Sequence, residues 1–292
     1  MAQPTPHHTS TSSPEPYWLG RASDEQKRLL KQHSIWTRSI GYLLHPTVTS
    51  TLPPNARIAD MGTGTGIWPI EMSHASPPTY SFHGFDISPE QFLPPDSLPP
   101  NVTLGHGDFL TPLPQELHGT FDLVNIRLII ISLGRVEVWQ RVLRNVLALL
   151  KPGGAICWTE GDFLVARGFR GAGLESTAGH HLTRAQVQLN STLSRRFGYS
   201  FPSFRGLFED GGLQGVEEDV LSTDRDPSQR SEFTDLGIGA VFGGLRNLAK
   251  IREEGSWDEE EVERRRVSAV EDRESGAYLR WDIHIGVGFK AS

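Results

Sequence analysis

The chain has 292 residues, a length that fits one large domain or one and a half and can bury a substantial core. Lys and Arg total 28 against 35 Asp and Glu, a formal net charge of −7, which disfavours a general nucleic-acid binder because that affinity rests on neutralising phosphates. The single cysteine, Cys157, sits in an apolar stretch without a second thiol to pair with, a composition that fits a reduced, cytoplasmic setting.

Residues 1–16 are rich in Pro, Ser and Thr and lack the apolar centre of a signal peptide, so they read as a disordered tail. His7 and His8 within it form no ligand set, and no metal site is expected. From Glu25 to Leu44, apolar residues with His33 recur at three- and four-residue steps, which predicts a helix ahead of the first strand.

Ile58-Ala59 then lead into Asp60-Met-Gly62-Thr-Gly64-Thr-Gly66, followed by a helical pattern from Ile67. Strand, glycine turn and helix in that order make a nucleoside-cofactor loop: glycine permits positive φ and close approach of a ligand, and the helix start offers its positive end. A dinucleotide fingerprint fails in both registers, because Ile67 or Pro69 falls where its third glycine belongs. No Gly-Lys-Ser or Gly-Lys-Thr follows, which excludes a phosphate-cradling P-loop.

A second strand, Ser81–Phe85, ends on Asp86, about twenty residues beyond the glycines, the spacing at which ribose hydroxyls meet a carboxylate. Ile87 is then placed to lie against adenine. A third strand from Val102 leads to Asp108 and Phe109, an acceptor for the adenine amino group and a ring to pack on it. The joint order of three acids at three successive strand ends points to a nucleoside site; each alone reads as a turn or cap residue.

Phe121–Ile126 is a fourth strand. The longest apolar run, Leu123–Leu133, is interrupted by Asn125 and Arg127 and is too short to span a membrane. A helix with Trp139, Val142, Leu143, Val146, Leu147 and Leu150 on one stripe follows, stopped by Lys151-Pro152-Gly153-Gly154. Ala155–Thr159 is a fifth strand leading into Glu160-Gly-Asp162. Beyond it lie helices over 174–196 and 231–251, a strand over 215–221, a helix opened by a capping box of Ser256 with Glu259, and a final alternating strand from Trp281 to Phe289. The alternation predicts an α/β, doubly wound, Rossmann-like sheet.

Tyr17-Trp-Leu-Gly-Arg, Gln32-His33, Ile58-Ala-Asp-Met-Gly-Thr-Gly-Thr-Gly66, Gly84-Phe-Asp-Ile-Ser88, Leu149-Leu-Lys-Pro-Gly-Gly154 and Trp158-Thr-Glu-Gly-Asp162 together resemble a fungal family of class I methyltransferases associated with secondary metabolism. The resemblance implies a seven-stranded sheet with an antiparallel last strand, and S-adenosylmethionine across the strand ends. On it, Asp60, Gly62, Gly64 and Gly66 line the methionine side, Asp86 the ribose, and Asp108 and Phe109 the adenine. Tyr17, Gln32 and His33 close over the cofactor from an N-terminal helical lid. Asn125, counted with the cofactor residues, departs from the pattern, where a histidine is expected. The corresponding division is a tail over 1–16, a lid over 17–50, a cofactor core over 51–165, and helical cap segments with the final strands over 166–292.

Candidate bases are His33 and Glu160, with His180 and His181 in the variable half. Trp158, Phe163, Phe169 and Phe201 offer aromatic surface either for a pocket or for the core. The amino-methylation signature of nucleic-acid enzymes is missing, since Asn125 is followed by Ile126-Arg127. The expected substrate is a small molecule, with neither nucleic acid nor membrane as partner and no oligomeric state indicated. O-methylation of a polyketide-type phenol or acid is the first reading. N- or S-methylation, a regulator of secondary metabolism, and cofactor-bound rearrangement or cyclisation are the alternatives.

Overall fold

The computed structural model describes residues 23–171 and 180–292. The expected tail, Tyr17 and residues 174–179 of the expected helix lie outside the described residues. The first helix, α1 (Ser23–Ile40), buries Ile35, Trp36 and Ile40 along one side. It stops short of the expected Leu44 because Gly41 adopts φ +93°, a left-handed conformation that ends a helix, and a short α2 (Pro46–Thr49) follows.

Strands β1 (Arg57–Met61), β2 (Ser81–Asp86), β3 (Val102–His106) and β4 (Phe121–Arg127) pair in parallel, with α3 (Ile67–Ala75) between the first two and α4 (Val136–Leu149) after the fourth. The chain continues through β5 (Leu150–Arg170), α5 (His181–Phe197), α6 (Phe204–Asp210), β6 (Gln214–Ser222), α7 (Arg230–Lys250), α8 (Glu259–Glu274) and β7 (Ala277–Phe289). Together they make one seven-stranded sheet in the order β3-β2-β1-β4-β5-β7-β6, with β7 antiparallel to both neighbours. This is the class I methyltransferase fold. The order reverses between β1 and β4, and the crevice at that switch point is where open α/β sheets place their ligands.

Alternation along each strand divides the core between the two faces of the sheet. Ile58, Phe82, Leu123 and Cys157 pack with α1, α5 and α7 on one side. Ala59, Met61, Val124, Ile126 and Trp158 pack with α4 and α6 on the other. Trp158 stacks on Trp139 of α4 at 5.4 Å, and Phe201 meets the same indole edge-on. Both rings serve the core.

Two strands run further than their alternation suggests. The β5 strand reaches Arg170 because residues 167–170 pair with Arg280–Ala277 of an equally extended β7, past a register shift that begins at Asp162 and hides the period of two. Phe169 stacks on Tyr278 in this extension. The Lys151-Pro-Gly-Gly154 stop lies inside β5. Helix α8 is capped by Asp258, whose carboxylate accepts from the Glu261 amide at 2.8 Å; the expected cap, Ser256, sits two residues earlier, in a turn closed on Glu253.

Candidate functional site

A cavity of about 310 Å³ opens at the carboxyl ends of β1, β2, β3 and β4 and runs beneath α1, α5 and α7. The glycine loop forms its floor. Gly62, Gly64 and Gly66 take φ of +72°, +58° and +81°, a run of left-handed residues that a side chain would strain. The Gly62 and Thr63 amides donate to the Phe85 carbonyl, and the Gly64 amide donates to the Asp86 carboxylate at 2.8 Å. The other Asp86 oxygen accepts from the Ser88 amide at 2.9 Å, so this one carboxylate ties the loop to the end of β2.

Asp60 is buried beneath the loop. Its oxygens accept from Thr63 Oγ1 at 2.6 Å and from Asn125 Nδ2 at 2.7 Å. Burial pushes its carboxyl up to about 6 against the lowering effect of Thr63, Arg127 and Asn125. Asn125 does not line the cavity; as the neighbour of Asp60 in the β1–β4 register, it spends its amide holding that carboxylate. This bond gives the departure from the family pattern a structural account.

Of the other residues singled out in the sequence, Gln32, His33 and Asp60 reach the cavity, as do Gly62 and Gly64. Asp86, Ile87, Asp108 and Phe109 line it as well. Gly66 stands outside, where a Cβ would meet Leu104 Cδ1 at 2.5 Å. Glu160 also stands outside and is fully buried. It accepts from Ile129 N at 2.9 Å, Ile130 N at 3.2 Å and Trp158 Nε1 at 2.9 Å, and burial pushes it up to about 7. It braces the turn after β4, where Leu128 takes φ +60°, and does not reach the space an acceptor would occupy. His180 and His181 do not line the cavity, and of the four aromatics only Phe163 does.

Sequence reasoning missed four contributors. Arg127, at the end of β4, has its guanidinium in the cavity wall, where burial pulls it below its ordinary value. It donates to His33 Nδ1 at 2.7 Å, a neutral acceptor, while Asp60 and Glu71 act on it only through space. Its interruption of the apolar run after Leu123 was the available signal. Gln91 presents a buried Oε1 with no hydrogen-bond partner in the same cavity. Gln186 and Asn190 come from α5, too far along the chain for any local pattern to connect them with the loop.

The fit to an adenosyl amino acid follows from these atoms. A Cβ at Gly64 would meet nothing nearer than Leu29 Cδ1 at 3.5 Å, so the loop offers bare backbone to the cavity. Gln91 Oε1 needs a donor and Arg127 needs an anion; a nucleoside with an α-carboxylate supplies both. Among the described residues no group of three or more His, Cys, Asp or Glu can hold a metal ion, and no helix is long and apolar enough to cross a membrane.

Sheet order, glycine loop and strand-end acids are those of the class I methyltransferase fold. Residues 58–154 match the family model described as a methyltransferase domain. The chain belongs to the fungal methyltransferases associated with secondary metabolism. It is 32% identical over 222 residues to the N-methyltransferase gliN of Aspergillus fumigatus, covering 70% of each chain. It is 35% identical over 144 residues to the N-methyltransferase tcpN of Claviceps purpurea (49% of this chain, 51% of that one). It is also 37% identical over 157 residues to the methyltransferase grgD of a Penicillium species (50% of this chain, 52% of that one). The chain thus spans about half the length of the last two relatives.

Proposed function

We propose that this protein transfers the methyl group of S-adenosylmethionine to a nitrogen of a small, largely apolar metabolite. The observation that carries the reading is the division of the cavity into a polar floor and an apolar roof. Asp86 serves the ribose hydroxyls. Gln91, Asp108 and Phe109 serve the adenine, and Arg127 takes the α-carboxylate above the glycine loop. The apolar part comes from Leu128, Ile130 and Ile131 after β4, Leu164 of β5, and Leu189 and Val241 of the roof helices α5 and α7. When bound, the cofactor supplies a sulfonium methyl as the electrophile.

The chain's own part is alignment and exclusion of water. A roof of branched aliphatic side chains leaves an acceptor few orientations and little hydration, and placement of that kind is worth several powers of ten in rate. His33 is a positioning residue, since Nδ1 accepts from Arg127 and Nε2 meets Glu71 at 2.9 Å. Glu160 is sealed behind the turn after β4. Neither is poised to deprotonate an acceptor. That favours a nucleophile reacting in its neutral form: an amine nitrogen gains the methyl carbon, the carbon–sulfur pair returns to sulfur, and the methylated ammonium gives up its proton to bulk solvent on release. Two of the relatives, gliN and tcpN, carry the name N-methyltransferase, which supports nitrogen over the phenolic oxygen of the first reading.

The test is incubation of the protein with ¹³C-methyl-labelled S-adenosylmethionine and a fungal metabolite extract, followed by NMR of labelled products. An N–CH₃ signal is expected. An O–CH₃ signal overturns the choice of nitrogen, and product formed without label overturns methyl transfer.

A further inference from the structure

Gln186 lies on α5 in the roof of the cavity, only 3% exposed. Its amide nitrogen is doubly committed, donating to Asn190 Oδ1 at 2.7 Å and to the Phe163 carbonyl at 3.2 Å. Asn190 is held in turn, because its own amide nitrogen donates to the Phe163 and Leu164 carbonyls, each at 3.2 Å. A side-chain amide with both N–H groups engaged cannot flip without losing them. The orientation fixes Gln186 Oε1 as the remaining polar atom of the pair, and it accepts no hydrogen bond among the described residues.

An amide oxygen held in apolar surroundings discriminates strongly. A ligand bearing an N–H satisfies it, whereas a ligand without one leaves a desolvated acceptor unpaired. Phe163, Leu164, Leu189, Leu193 and Val241 line the same cavity. Acids among the lining residues are Glu25, Asp60, Asp86 and Asp108, which belong to α1 or the strand ends.

Resting on the methyltransferase reading above, we propose that Gln186 is a specificity-determining residue: its Oε1 accepts the N–H of a neutral secondary amine in the substrate and turns the nitrogen lone pair toward the floor of the cavity, with Asn190 and the Phe163 carbonyl holding the acceptor in place. The substrate class is a neutral, apolar compound bearing a secondary N–H.

The test uses binding, so it needs no knowledge of the natural substrate. With the full chain saturated with S-adenosylhomocysteine, the affinity of an aromatic secondary lactam, 3,4-dihydroisoquinolin-1(2H)-one, is compared with that of its N-methyl derivative and of 2-naphthol by equilibrium dialysis. Wild type is expected to prefer the lactam over the N-methyl derivative by about tenfold, the worth of one buried hydrogen bond. Gln186→Leu is expected to bind the two equally. Asn190→Leu keeps the acceptor but frees its orientation, and is expected to retain part of the preference. Unchanged S-adenosylhomocysteine affinity in both variants shows that the fold and the floor survive. A preference that persists in Gln186→Leu overturns the proposal, as does lack of lactam binding to wild type or preference for the naphthol. Failure of S-adenosylhomocysteine to bind overturns instead the reading on which the proposal rests.

Discussion

Arg127 donates to Nδ1 of His33 across 2.7 Å, while Nε2 of the same ring meets Glu71 at 2.9 Å. A guanidinium has no lone pair to offer, so Nδ1 is the acceptor and the imidazole hydrogen sits on Nε2. Burial and then the Arg127 charge lower the proton affinity of the ring, opposed by Glu71. The ring is therefore a neutral spacer between a cation and a carboxylate. His33→Asn is expected to weaken cofactor binding while leaving the shape of the kcat pH profile intact. Loss of the acidic limb in that variant would restore His33 as a base.

The same relationship leaves Arg127 buried beside a neutral partner, a costly state that an anionic ligand relieves. Arg127→Met is expected to weaken binding of S-adenosylhomocysteine by about tenfold or more. Binding of 5′-methylthioadenosine, which lacks the carboxylate, should be unchanged, and thermal stability without ligand should match or exceed wild type. Equal losses for both ligands in calorimetry would show that Arg127 does not read the carboxylate.

The glycines of the loop separate fold from ligand. At Gly66 a methyl group would collide with Leu104, at 2.5 Å from Cδ1, on a backbone with φ +81°. Gly66→Ala should thus lower stability by roughly 2–4 kcal/mol, from overpacking and left-handed strain together. Gly64 has φ +58°, and a Cβ there would touch Leu29 Cδ1 at 3.5 Å inside the cavity. Gly64→Ala should cost only about 1–2 kcal/mol in urea unfolding but abolish stabilisation by S-adenosylhomocysteine. If Gly64→Ala bound the ligand normally, the loop would not be the cofactor floor.

Glu160 gives a pH signature of known sign. Folding raises its carboxyl from an ordinary value of 4.5 to about 7 through burial, against the opposing bonds from Trp158, Ile129 and Ile130. The folded chain keeps a proton that the unfolded chain releases, so this group's contribution is full below about pH 4.5 and fades as pH rises to about 7. Glu160→Gln cannot titrate. The Tm advantage of wild type over Glu160→Gln should therefore shrink across that window; a constant gap would show that Glu160 does not carry a raised pKa.

The glycine loop and the strand-end acids that line the cavity are legible because their determinants are local. A glycine run after Ile58-Ala59, and acids one strand further on at Asp86 and Asp108, follow from the chain's own period. The same locality makes Glu160 resemble a site residue that it is not. An acid at a strand end looked like Asp86, but the left-handed turn at Leu128, which aims the Ile129 and Ile130 amides at it, leaves no mark in a leucine. The reach of β5 and β7 is hidden by the shift after Asp162, and Gln186 by the 121 residues of chain between it and Gly64. Contacts made by tertiary packing have no spacing to betray them.

The most direct test of the account is calorimetric titration of the full chain with S-adenosylhomocysteine, alongside Asp86→Ala. One molecule should bind per chain, and Asp86→Ala should weaken binding by about tenfold or more, since the carboxylate fixes the Gly64 amide and lines the cavity where the proposed function puts the ribose. No binding to wild type, or the same affinity in the variant, would contradict the assignment of this cavity to the cofactor.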